Sequence, residues 1–235
     1  MPRTVWRERR LWTLAAIGGV LYGVVVYTAF KYAPAAHGAI LLPGMQPFLV
    51  TALLWLALGE RPTRSRLIGL AGIAVGVLCV ALPLLQAGDW RTLPGDALML
   101  VASLTWAVYS VLVRRFALDA VRATIAITAL AFVVYVPVYT VLLWLHWVPG
   151  KVFAAPWSDV AFQMFFQGVG SVVISGISFT KMIQYFGPVR STMLTAVVPG
   201  LSALGAVFLL GEPLSWNLLA GLALVTVGIL FGVRV

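Results

Sequence analysis

Charge is scarce in this chain: only 10% of its 235 residues are Asp, Glu, Lys or Arg. A water-soluble domain carries about 25%, so composition excludes a soluble enzyme or binding module. Acidic groups are scarcer still, seven against sixteen Lys and Arg. His37, His146 and Cys79 are the only soft metal ligands, too few and too scattered to form a metal site, and a lone cysteine closes no internal disulfide. No cofactor is expected. The sequence lacks a phosphate-cradling glycine loop, paired carboxylates and a nucleophile beside a base, so an ATP-driven pump or a membrane-embedded enzyme is not expected either. Also missing is any polar stretch long enough to fold as a separate head.

What is present is hydrophobicity, 62% of residues, with a mean hydropathy of +1.02. A bilayer crossing takes about 20 apolar residues, because ~30 Å of hydrocarbon is covered at ~1.5 Å per residue. Eight runs qualify: 11–30, 37–59, 67–85, 95–116, 124–145, 160–180, 189–211 and 216–233. The connections between them carry charge or turn residues, as in "ERPTRSR" and "QAGDWRTLPGD". The expected fold is an all-α polytopic membrane protein with about eight transmembrane helices.

The sixteen basic residues are distributed unevenly. With the amino terminus inside, thirteen fall in cytoplasmic segments, and only Lys31, Arg91 and Lys151 fall opposite. Basic residues resist translocation, so this bias orients the chain with both termini in the cytoplasm, in the cytoplasmic (inner) membrane. The net charge of +9 is therefore an orientation signal, and no nucleic-acid partner is expected. The expected partners are the lipid bilayer and a small-molecule solute. A signal-peptide reading of the start, with "APAA" at 33–36, is disfavoured because the first run is long and belongs to a repeat.

That repeat has a period of 152 residues. The shift places Pro47 on Pro199, Gly59 on Gly211, Glu60 on Glu212, Gly69 on Gly221 and Gly76 on Gly228. Four spacings kept across two membrane hairpins indicate duplication. Five spans separate Glu60 from Glu212, an odd number, so the copies are inverted with respect to the membrane. Inverted repeats are the arrangement of alternating-access carriers. The expected organisation is an incomplete first repeat of three helices, 1–87, and a second of five, 95–235; two further spans would complete the first.

The segments "AFKYAPAAHGAILLPGMQPFLVTALLWLALGERPTRSRLIGLAGIAVGVL" (29–78) and "QYFGPVRSTMLTAVVPGLSALGAVFLLGEPLSWNLLAGLALVTVGIL" (184–230) carry a family resemblance. With "GDALMLVASLTWAVYSVLVRR" (95–115), they resemble the EamA family of the drug/metabolite transporter superfamily. The resemblance implies a ten-helix pattern built of two inverted repeats, and export of a small organic metabolite or drug. Without the first two family helices, a truncated, transport-inactive protein or one needing a partner chain is the alternative.

Candidate site residues follow from cost. Glu60 and Glu212 are acidic groups at span ends; each follows a glycine, Gly59 or Gly211, suited to a left-handed helix end, and a turn role is favoured over ion coupling. Thr63 and Ser215 are placed to cap the helices that follow. Pro47 and Pro199, with Pro43 beside the first, fall near mid-span, where proline removes a backbone donor and supplies a bending or gating point. Gln163, Gln167, Ser171 and Ser175 recur every four residues, a polar stripe unsuited to lipid. Trp106 and Tyr109, with Tyr22 and Tyr27, are aromatic groups with polar handles that suit an organic solute; the family's cavity-lining helix favours the first two. Gly19/Gly23, Gly72/Gly76 and Gly228/Gly232 permit close helix approach, within one molecule as readily as in a homodimer.

Overall fold

A computed structural model describes residues 9–117, 119–148, 150, 154–211 and 214–233. Among them the regular structure is entirely helical, and eight helical stretches are long and apolar enough to cross a membrane. We label the helices α1 (Arg9–Ala29), α2 (Ala35–Leu58), α3 (Arg64–Ala87), α4 (Leu93–Phe116), α5 (Ala120–Trp144) and α6 (Trp157–Phe186). The remaining three are α7 (Pro188–Thr195), α8 (Val198–Leu210) and α9 (Trp216–Val233). Each span lies where a hydrophobic run predicts one. Two differ in form. The sixth reaches Phe186, well past its expected end at residue 180, and the seventh is not one helix but two, α7 and α8, parted at Ala196–Val197.

Helix ends are local events. Gly59 takes φ +69°, and the N–H groups of Gly59 and Glu60 then satisfy the carbonyls of Trp55 and Leu54 at 3.0 and 3.1 Å. Gly211 repeats the conformation at φ +72°. The next helices begin on hydroxyl caps: Thr63 Oγ1 accepts from the Arg66 N–H and Ser215 Oγ from the Leu218 N–H, both at 3.3 Å. Glu212 lies outside the described residues.

Long apolar side chains cover the outside of the bundle, as at Leu56, Phe208 and Leu209. Lipid solvates such groups as well as protein does, so helix association has to come from close packing and hydrogen bonds. The α3–α9 pair shows how. A Cβ on Gly69 would stand 2.6 Å from the Gly228 carbonyl oxygen, and one on Gly76 would stand 2.7 Å from that of Gly221. Only glycine permits such an approach of backbones. The two contacts are also reciprocal: shifting by 152 turns the Gly69–Gly228 contact into Gly221–Gly76. Pairs that exchange in this way are the mark of a two-fold relation.

A second pair, α2–α4, is held at three depths. His37 Nδ1 lies 2.7 Å from Asp96 Oδ1 at one end. Ser103 Oγ donates to the carbonyls of Leu41 and Leu42 at 3.0 and 2.6 Å further in. Arg114 Nη1 donates to Glu60 Oε2 at 2.9 Å at the other end. The core between the pairs joins Val50, Ile73, Ala107, Met193 and Val225, one side chain from each of α2, α3, α4, α7 and α9.

Candidate functional site

The first turns of α1 hold the clue to the site. Residues Ala16–Leu21 form a π-helical turn, whose i→i+5 bonding widens the helix and frees a carbonyl. Tyr135 of α5 donates its hydroxyl to the Val20 carbonyl at 2.6 Å. Gly18, inside the wide turn, lies under the ring of Tyr109; a Cβ there would stand 2.6 Å from Tyr109 Cδ2. A lack of side chains at 18 and 19 thus lets the Tyr109 ring and Ile127 of neighbouring helices press against the α1 backbone.

Around this turn the structure gathers Tyr22 (α1), Trp106 and Tyr109 (α4) and Phe179 (α6). Trp106 is the hub, its ring centroid 4.8 Å from Tyr22, 4.9 Å from Tyr109 and 5.6 Å from Phe179. Tyr109 is fully buried, its hydroxyl 3.0 Å from Thr180 Oγ1. Trp106 and Tyr22 are half-buried. The arrangement offers flat, polarisable faces and phenolic groups at mid-depth of three converging spans. It suits an apolar or aromatic moiety and no fixed charge, since no ionisable side chain other than the tyrosines joins the cluster among the described residues.

The other candidates fall elsewhere. Tyr27 is exposed, a turn and a half from Tyr22. Pro47 is buried within continuous α2, and the hydroxyl of Thr51 donates to its carbonyl at 2.6 Å. Pro43 is half-buried one turn earlier. Pro199 opens α8 just after the break in the seventh span and reaches toward Gly44 of α2, 4.0 Å from a Cβ built there. The two repeated prolines therefore meet near one crossing, but only the second divides its span. Gln163, Gln167, Ser171 and Ser175 are all exposed on α6 and stand apart from the aromatic cluster. Most of that stretch, Met164–Ser175, is again π-helical, and shifted by 152 the turn of α1 falls on 168–173 inside it.

Glu60, half-exposed, is tied to Arg114 at the surface, an interaction worth about 0–1 kcal/mol in such a setting. Sequence reasoning missed Phe179, which carries no signal beyond apolarity, and Thr180, whose one signal is that it is the repeat partner of Thr28. It also missed Gln46, a buried amide next to Pro47, and it gave His37 no partner. Asp96 lies 59 residues away, and only the α2–α4 packing joins them.

Eight membrane-length helices define a multi-pass helical membrane protein, and three of them share an aromatic cluster. The EamA-like transporter family model matches residues 2–82 and again 93–234. The chain belongs to the EamA-like transporter family, and so is a membrane transporter of the drug/metabolite type. It is 25% identical over 228 residues to the "Uncharacterized transporter YyaM" of Bacillus subtilis (strain 168), a match covering 92% of this chain and 70% of that protein. A solved crystal structure superposes with a TM-score of 0.72 at 22% identity, covering 99% of this chain and 78% of its own, and shows the fold alone.

Proposed function

We propose that this chain is a secondary carrier that exports a small, largely neutral or amphiphilic organic solute across the cytoplasmic membrane, with both termini in the cytoplasm. The carrying observation is the Tyr22–Trp106–Tyr109–Phe179 cluster, which sits where three spans converge and presents aromatic faces with polar handles. The two matches to the family model and the reciprocal glycine contacts support a pair of inverted repeats, 1–87 and 95–235, working by alternating access. In this reading Trp106, Tyr109 and Tyr22 contact the solute, while Pro47, Pro43 and the Pro199 break let helices bend around it.

The test is efflux from inside-out and right-side-out proteoliposomes, using a panel of aromatic and aliphatic metabolites. Some solute should move faster than in empty liposomes. Trp106→Ala should lower that rate at least tenfold, and Trp106→Phe should recover a measurable part of it. A solute moved equally by the wild type and Trp106→Ala would remove the cluster from the pathway.

A second reading is favoured by α6. The half of this span from 157 to 175 is exposed or nearly so throughout, glutamines included, and Gly168 and Gly170 have no neighbour within 4 Å of a built Cβ. Amide groups are costly against lipid, so we infer that further transmembrane helices, in this polypeptide or a partner chain, cover this face in the working carrier. Then Gln163, Gln167 and Ser171 would face the interior. Gly168→Cys in a Cys79→Ala background, alkylated with benzophenone maleimide and photolysed in native membranes, should crosslink to a neighbouring helix that mass measurement assigns. Alkylation by a lipid-phase maleimide with no crosslink would mean the face meets lipid.

A further inference from the structure

We propose that the arginine-poor end of the bundle holds a binding site for a small apolar amine, with Asp96 as its counter-charge. The site is a cavity of about 630 Å³ between the start of α2, the end of α3 and the start of α4. That volume lies within the ~300–1,000 Å³ range of small-molecule sites. Pro34, Ile40, Leu41, Ala81, Leu93 and Leu100 make most of its wall. Into this apolar surface are set His37 and Asp96, with Asp89 and the exposed Trp90 on the turn before α4.

The chemistry of the wall is one-sided. Among the described residues it contains two carboxylates and no lysine or arginine. Asp89 is committed to the backbone: its Oδ1 accepts from the Arg91 N–H at 3.0 Å. Asp96 keeps more capacity. Oδ1 faces His37 Nδ1 at 2.7 Å, and Oδ2 has only the Thr92 hydroxyl, at 3.3 Å. The side chains of His37 and Asp96 are 17% and 23% exposed, so the pair is reached from the cavity yet shielded from bulk water. Asp96 stands in the first turn of α4, where the helix end favours the ionised carboxylate, and its attraction for a cation in the cavity strengthens as water is displaced. A neutral imidazole supplies a hydrogen bond but no charge. A ligand ammonium would supply the charge, its apolar body would cover Ile40, Leu41 and Leu100, and Trp90 would offer its ring face to the cation at the rim.

A proton is the natural competitor. Histidine changes charge between pH 5 and 8, and a protonated His37 would neutralise Asp96 and repel an amine. The ionisable groups around the pair are His37 on α2, Asp96 on α4, and Asp89 and Arg91 on the intervening turn. Lys31 and Tyr32 lie on the turn before α2; α3 presents Ala81 to the wall. Amine affinity should therefore fall as pH is lowered.

The test is equilibrium binding of phenethylamine and of its neutral analogue 2-phenylethanol to the full chain in nanodiscs, by titration calorimetry against empty nanodiscs. It requires no translocation, so it stands or falls apart from the transport reading. Saturable one-to-one binding of the amine is expected, at least tenfold tighter than the alcohol at pH 8. Asp96→Asn should erase that preference. His37→Gln should keep it and remove its decline between pH 8 and 5.5. If Asp96→Asn does not fold, the His37→Gln pH profile decides alone. Equal binding of amine and alcohol by the wild type would overturn the proposal, and the pair would then be an interhelical clasp only. So would a tenfold preference that survives in Asp96→Asn, or a pH dependence unchanged in His37→Gln.

Discussion

At the scale of single residues, the smallest side chain has the largest structural consequence. Gly69, Gly76, Gly221 and Gly228 set the distance between α3 and α9, and no other residue type fits there without moving a backbone. Gly69→Val would drive its side chain into the Gly228 carbonyl and the backbone of Gly232. Overpacking of this kind costs about 1–3 kcal/mol where neighbours can yield, and a backbone yields less than a side chain. The expected result is a lower melting temperature and loss of monodispersity in detergent, read by scanning fluorimetry and size exclusion. Gly168→Val, with open space around it, should leave both unchanged. At the same scale, Trp106 is the reporter for the transport reading and Asp96 for the amine site. Their distance in the fold makes their effects separable.

Elements behave differently in the two halves even where their sequences agree. Pro47 sits inside an unbroken α2, whereas its counterpart Pro199 follows a break that leaves α7 and α8 as separate helices. Neither proline can donate to the helix ladder; the difference lies in what holds the helix around it. On α2 the Thr51 hydroxyl returns to the Pro47 carbonyl, and Ser103 engages Leu41 and Leu42 immediately before Pro43. Around Pro199 the neighbours are the small Gly44, and Leu222, which approaches Gly200. A hinge is expected where the ladder is already open. Pro199→Ala should let α7 and α8 join, lowering turnover at least fivefold while changing solute affinity less than twofold. Proteoliposome kinetics with hydrogen exchange over residues 194–200 would check this; unchanged turnover would move the hinge elsewhere.

For the whole molecule, the helix pairs do not follow the sequence repeats. α3 of the first half binds α9 of the second through glycines, and α2 binds α4 at three depths. Each half is therefore clasped to the other, and rocking of two independent halves would break these contacts. A motion consistent with the contacts keeps the α2–α4 and α3–α9 pairs intact. The two π-helical stretches lie in α1 and α6 and the open ladder in the seventh span, outside both pairs.

Much of this was legible in the sequence because the bilayer simplifies the problem. Hydrocarbon thickness sets span length, so eight apolar runs located eight spans, and glycines at 59 and 211 marked helix ends because only they take a left-handed backbone without strain. The spacing from Pro47 to Gly76 recurs from Pro199 to Gly228 and is readable for the same reason: such residues are chosen by backbone geometry, which sequence records directly. Contacts between distant residues were not legible. Tyr109 with Thr180, Gly69 with Gly228 and His37 with Asp96 are joined by helix crossings, and local pattern carries no information on which crossing a given face enters. Nor did a four-residue spacing reveal what the α6 stripe meets, since a helix face has a direction only once its neighbours are in place.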